Sequence, residues 1–153
     1  MDYLQLMGNQ AEWAARNLAY NLDFIPENKL NWKPAPTANS ALEIVQHAAR
    51  AFKYLEGMIS GASGEPPEVP LTTTAAEAKQ QIIDAAVEYN QFLGTVDPAT
   101  LTNELPMPFG ATFPVSRVVS MPVVDILHHH GQIAYIQTLL GDTESHFDFS
   151  LFQ

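Results

Sequence analysis

The sequence predicts an all-α fold, a single four-helix bundle with a long connector before its last helix. Three observations carry that expectation. Apolar residues recur at three- and four-residue steps over four separate stretches. Cap residues, prolines or glycines bound each stretch. One long segment, residues 99 to 115, is too rich in proline for a regular helix. The chain has 153 residues, 46% of them hydrophobic, enough for one substantial core, and 1–153 reads as one domain.

The first helix is expected from about Tyr3 to Phe24, with Leu4, Met7, Ala11, Ala14, Leu18, Leu22 and Ile25 on its apolar stripe and Pro26 ending it. A loop with Trp32, Pro34 and Pro36 follows. Ser40 and Glu43 have capping-box spacing and open the second helix, which carries Leu42, Ile44, Val45, His47, Ala48, Ala51, Tyr54, Leu55 and Met58. Gly61 to Pro70 is a Gly/Pro-rich loop centred on Gly64-Glu65-Pro66-Pro67. Thr72 to Thr74 cap a third helix, Ala75 to Thr95, and Asp97-Pro98 closes it. The connector is longer than usual helix–helix links and has room for a short extended pair around Phe109-Gly110. The fourth helix starts near Val115 or Ser116. Pro122 either kinks it or marks a restart, and Gly141 is the expected C′ glycine. The tail from Thr143 carries Phe147, Phe149, Leu151 and Phe152, which should pack on the body or on a second subunit.

Charge excludes some partners. Seven basic against 17 acidic residues leave a net charge of -10, so nucleic acid and anionic membrane surfaces are disfavoured. The acids read as a solvated surface. No apolar run is long enough to span a bilayer. The absence of cysteine rules out a disulfide framework and a thiol nucleophile of the protein's own. With no signal-peptide pattern at Met1-Asp2-Tyr3, a cytoplasmic location is expected.

The chemistry is concentrated in the last helix, which holds three consecutive histidines, His128, His129 and His130. Asp125 and His129 are four apart and therefore share a helix face. A carboxylate and an imidazole there are two potential ligands for a divalent metal, and His47 from the second helix could complete a facial set. The same residues could instead form a buried hydrogen-bonded cluster. His128 and His130 lie about 100° to either side of His129. His130 is favoured for a hydrogen bond behind a ligand, and His128 for a surface or an interface. His146 is expected to be solvated.

At these residues the chain resembles the DinB-like superfamily. The stretch from His128-His129-His130-Gly131-Gln132 through Leu140-Gly141-Asp142 resembles its last-helix signature. Ser40-Ala41-Leu42-Glu43-Ile44-Val45-Gln46-His47 resembles its second-helix motif, and Pro106-Met107-Pro108-Phe109-Gly110 its connector in one branch. The resemblance implies an up-down-down-up bundle with a long crossover, frequently dimeric, in which three histidines bind zinc, nickel or another divalent cation. Carried over, the ligands are His47 and His129, with Asp125 where the family has histidine. Aspartate ligates zinc, nickel, manganese or iron, so two histidines and a carboxylate are a sensible set.

The resemblance further implies a metal-dependent transferase acting on small molecules, with a low-molecular-weight thiol as cosubstrate. Tyr54, Phe109 and Gln132 are the candidates for substrate contact, and no catalytic residue is assigned. Glu43, one turn before His47, is either a cap alone or an acceptor behind the site. Tyr89, Tyr135, Trp13 and Trp32 fit a core or a pocket wall. Metal-dependent hydrolysis or isomerisation would use the same triad. The alternative is a metal-free protein that binds a small ligand or serves as a dimeric scaffold.

Overall fold

The computed structural model describes residues 2–62 and 68–151. The expected loop centre Gly64-Glu65-Pro66-Pro67 and Phe152 lie outside them, as does the side chain of Leu151. Four helices dominate: α1 (Tyr3–Asn21), α2 (Ala41–Ser60), α3 (Ala75–Leu93) and α4 (Val115–Leu139). A two-stranded antiparallel hairpin, β1 (Glu104–Pro106) and β2 (Thr112–Pro114), precedes α4.

Local chemistry accounts for the helix ends. Asp2 caps α1, its carboxylate accepting from the Gln5 N–H at 2.9 Å. Ser40 with Glu43 and Thr74 with Glu77 both form complete capping boxes. The expected first helix is longer than α1, because the chain tightens to a 3-10 turn at Leu22–Phe24. At the end of α4, Gly141 takes a φ of 102°, the Asp142 N–H reaches the Gln137 carbonyl and the Gly141 N–H reaches that of Thr138. This is the Schellman arrangement, which needs a left-handed residue.

Contacts fix the helix directions. Tyr3 donates to the Ser116 carbonyl at 2.8 Å and Gln137 to the Asn21 carbonyl at 2.7 Å, so α1 and α4 are parallel. Asn90 meets Glu12 while Lys79 meets Asp23, so α1 and α3 are antiparallel. Gln46 and Gln81 reach the adjacent Val69 and Pro70 carbonyls, and Lys53 pairs with Glu88, so α2 and α3 are parallel. His47 faces His129 while Leu55 packs with Val118, so α2 and α4 are antiparallel. The order is up-down-down-up. The proline-rich connector stays at one end and folds into the hairpin, with Leu105 opposite Phe113.

Each of α1 and α2 packs on both α3 and α4. Buried Ala11, Ala14, Ala15 and Ala19 let the neighbours of α1 approach closely. Gly8 serves the same end, since a Cβ there would meet Asn90 Oδ1 at 1.9 Å. Leu18, Leu22, Phe52, Ile82, Tyr89 and Ile133 fill the centre, each contributing about 1.5–3 kcal/mol by burial. No helix among the described residues is long and apolar enough to cross a membrane.

Two expectations change here. Tyr135 belongs to neither core nor pocket, being 63% exposed on the outer face of α4. His146 is not solvated. Its ring stacks on Phe24 and its Nε2 lies 2.7 Å from Asp142 Oδ2. The tail lies on the body, with Phe147 edge-on to Trp13 and His130.

Candidate metal centre

Two helices bring the site together. The capping box at Ser40 fixes where α2 begins and so which way His47 faces. Across the interface, α4 continues through Pro122 without a restart. Proline lacks the N–H that would bond the carbonyl four residues back, and it crowds that turn. One residue on from that carbonyl, the Val119 carbonyl accepts the buried Tyr89 hydroxyl at 3.0 Å. Burial holds the Tyr89 phenol well above its ordinary pKa, which keeps it a donor. A continuous α4 then sets Asp125 and His129 one turn apart, opposite His47.

One ligand-capable atom from each of His47, Asp125 and His129 lies within 4.8 Å of the others. His129 is buried, Asp125 half-buried and His47 exposed, so the cluster opens on one side. The His129 Nδ1 stands 2.7 Å from Gln132 Oε1. An amide oxygen only accepts, so Nδ1 carries the proton and, in the neutral ring, Nε2 keeps its lone pair. That Nε2 is 3.5 Å from Asp125 Oδ2. Both atoms are buried and neither has a hydrogen-bond partner. Two facing acceptors are costly without a proton or a cation between them.

The donor set fits a divalent cation. Donors around tetrahedral zinc at about 2.1 Å are roughly 3.4 Å apart, close to the Asp125–His129 separation. The proton is the competing occupant. Burial lowers the His129 pKa, but the Asp125 and Gln132 contacts and the Asp125 charge together outweigh it, and the net displacement is upward.

The other candidates divide by helix face. Gln132 holds His129 and also lies 3.1 Å from His128 Nε2, so its amide is engaged with the histidines. Glu43 completes its cap and pairs with Lys33 at 2.7 Å. The Lys33 hydrogen bond, then the Ser40 backbone, hold its carboxyl below the usual range. His130 points away from the triad, its Nε2 2.9 Å from Asn21 Nδ2. Tyr54, Phe109 and Asp125 line one cavity of about 610 Å³ between α2, α4 and the hairpin. Met107, Met121 and Val124 share that wall, and none of them is marked as a site residue by the sequence. Their signal was weak: Met121 and Val124 lie four and one residues before Asp125, on the face of α4 turned to α2. A second cavity of about 520 Å³ lies over His47, lined by Glu43, Gln46, Arg50 and Glu68.

The family model described as the DinB superfamily matches residues 10–133. Among solved structures, the chain is similar to a DinB-like protein from Bacillus cereus, 18% identical with a TM-score of 0.69, over 84% of this chain and 87% of that one. It is also similar to a DinB-like protein from Bacillus subtilis, 19% identical with a TM-score of 0.67, over 94% and 95%. A conserved protein from Enterococcus faecalis is 17% identical with a TM-score of 0.67, over 93% and 99%. At these identities the likeness is one of fold. No curated protein matches the chain.

Proposed function

Since the chain belongs to the DinB superfamily, we propose that it is a divalent-metal-dependent enzyme acting on small molecules, and specifically a transferase that joins a low-molecular-weight thiol to an electrophile. The observation that carries this reading is the pair of buried, unpartnered atoms, His129 Nε2 and Asp125 Oδ2, aimed at each other beside His47. In this reading His47, Asp125 and His129 hold the cation, and their donor types suit zinc, nickel, manganese or iron.

A bound divalent cation would lower the pKa of a thiol or water and so supply a nucleophile at neutral pH. The protein's own residues do the rest. Gln132 fixes the tautomer and orientation of His129. Burial of His129 keeps water from its inner side, while exposed His47 leaves the outer side open. The thiol proton leaves to solvent, sulfur forms the new bond to carbon, and the leaving group departs with its electron pair. The chain contributes no cysteine, so the sulfur comes from the cosubstrate. The proposed working unit is a cytoplasmic homodimer, and light scattering that returns a monomer at micromolar concentration removes that part.

The test is elemental mass spectrometry of untagged protein purified without chelators. Roughly one zinc, nickel, manganese or iron per chain is expected, followed by turnover in a panel of thiols and electrophiles. Metal without thiol transfer would redirect the reading to hydrolysis or isomerisation. One specific observation favours a metal-free alternative, a small-ligand binder or scaffold: a proton on His129 would itself satisfy the 3.5 Å contact with Asp125. Protein that carries no metal and takes none up overturns the metal reading in favour of that alternative.

A further inference from the structure

The two cavities that touch the triad differ in chemistry. The one over His47 is walled by Glu43, Gln46, Arg50 and Glu68, with Val69, Pro70 and Leu71 on its loop side. The one beside Asp125 is walled mostly by Tyr54, Leu55, Met107, Phe109, Met121 and Val124, with Arg117, Ser120 and His128 as its polar members. Its volume, about 610 Å³, is within the roughly 300–1,000 Å³ typical of small-molecule sites. Phe109 and Val124 are 69% and 66% exposed at its rim, so apolar surface is left facing water beside a candidate metal ligand. Unbranched methionines adapt to differently shaped apolar guests, and the wall carries two, Met107 from the hairpin and Met121 from α4, packed in one apolar cluster with Leu55 and Val118.

From this we infer that the substrate carries an apolar alkyl or aryl group, seated between Tyr54, Phe109, Met121 and Val124, with its polar reacting end directed at Asp125. The inference deepens the proposed metal-dependent reaction and rests on it. The cleft over His47 is the more polar of the two and offers such a group less apolar surface to cover. An apolar chain extending from the triad is therefore better accommodated beside Asp125. The reach of the pocket to Asp125 makes it part of the same site.

The experiment compares acetohydroxamate with octanohydroxamate by calorimetry on the zinc-loaded protein. Both present the same metal-ligating head, and only the second has a chain to bury. Each buried methylene contributes up to about fourfold in affinity, so octanohydroxamate should bind on the order of a hundredfold more tightly once three or four methylenes are covered. Phe109→Ser and Val124→Gln alter exposed rim positions and should leave the fold, the metal content and acetohydroxamate binding intact while erasing most of that gain. Equal affinities for the two hydroxamates, or a gain that survives both substitutions, overturn the inference while the metal reading stands. If the protein takes up no metal, neither hydroxamate binds and the metal reading falls separately. The apolar dye N-phenyl-1-naphthylamine then tests the pocket on metal-free protein. Brightening that the double variant loses supports the inference, and no brightening overturns it.

Discussion

His129 and His130 are neighbours in sequence, yet they belong to opposite kinds of polar cluster. His130 faces α1 and the tail. There Asn21 Nδ2 lies 2.9 Å from His130 Nε2, 3.0 Å from the Asn17 carbonyl and 3.1 Å from the His146 carbonyl. Gln137 donates to the Asn21 carbonyl, and Asn17 exchanges two hydrogen bonds with the Asp148 backbone. His129, about 100° around the helix, faces α2 with one ring nitrogen satisfied and the other buried without a partner. On the proposed reading, the difference separates a structural cluster from a ligand site. Where every buried polar atom is paired, the cluster holds the fold together. Where two acceptors converge unpaired, something else belongs between them.

That contrast breaks most readily at the ligands. His129→Ala should remove metal entirely, from roughly one ion per chain to background, by elemental mass spectrometry. Asn21→Leu should leave metal content unchanged. Metal retained by His129→Ala, or lost in Asn21→Leu, would erase the distinction. The second largest effect is on stability. Asn21→Leu strips partners from His130, Gln137 and the His146 carbonyl, and should cost about 3 kcal/mol in urea unfolding.

Gln132→Ala sharpens the contrast further. It removes the group that orients His129 but no ligand, so metal affinity should fall roughly 10- to 100-fold, with unfolding of the metal-free protein little changed. A chelator-competition titration gives the first quantity and urea gives the second. An unchanged affinity would mean that the Gln132 contact merely accompanies the site.

The smallest effects are in pH. Burial pushes the His130 pKa below its ordinary 6.5, so its folded form resists protonation. Its contribution is present above pH 6.5 and is lost as pH falls through the lowered value. The His129 pKa is displaced upward, so in metal-free protein its contribution is full below 6.5 and fades as pH rises through the raised value. Because a ligand imidazole must be neutral, metal affinity should weaken on acidification, beginning above pH 6.5. Urea midpoints across pH 5–8 for metal-free wild type, His129→Ala and His130→Ala should reveal slopes of opposite sign for the two histidines.

Much of the fold was legible because it depends on local rules. Ser40 and Glu43 formed their box, Gly141 took its left-handed turn, and the prolines around Phe109-Gly110 confined order to a hairpin. Spacing alone put Asp125 and His129 on one face. It did not reveal that Gln132, also one turn from His129, would bind the histidine, because an amide at that spacing reaches either its neighbour or a ligand. Nor did it place His146, whose ring stacks on Phe24 from the other end of the chain.

The sequence by itself determined the four helices, their caps, the proline-rich connector and the residues able to ligate a cation, since propensity, capping and periodicity act within a few residues. The tertiary structure decided which histidine nitrogen is left without a partner and which is engaged by Asn21 of α1. It also joined the apolar wall of Met107, Phe109, Met121 and Val124 to Tyr54 and Asp125. Those outcomes depend on how α1, α2 and the hairpin pack around α4, and contacts between residues so distant in sequence leave no local pattern to read.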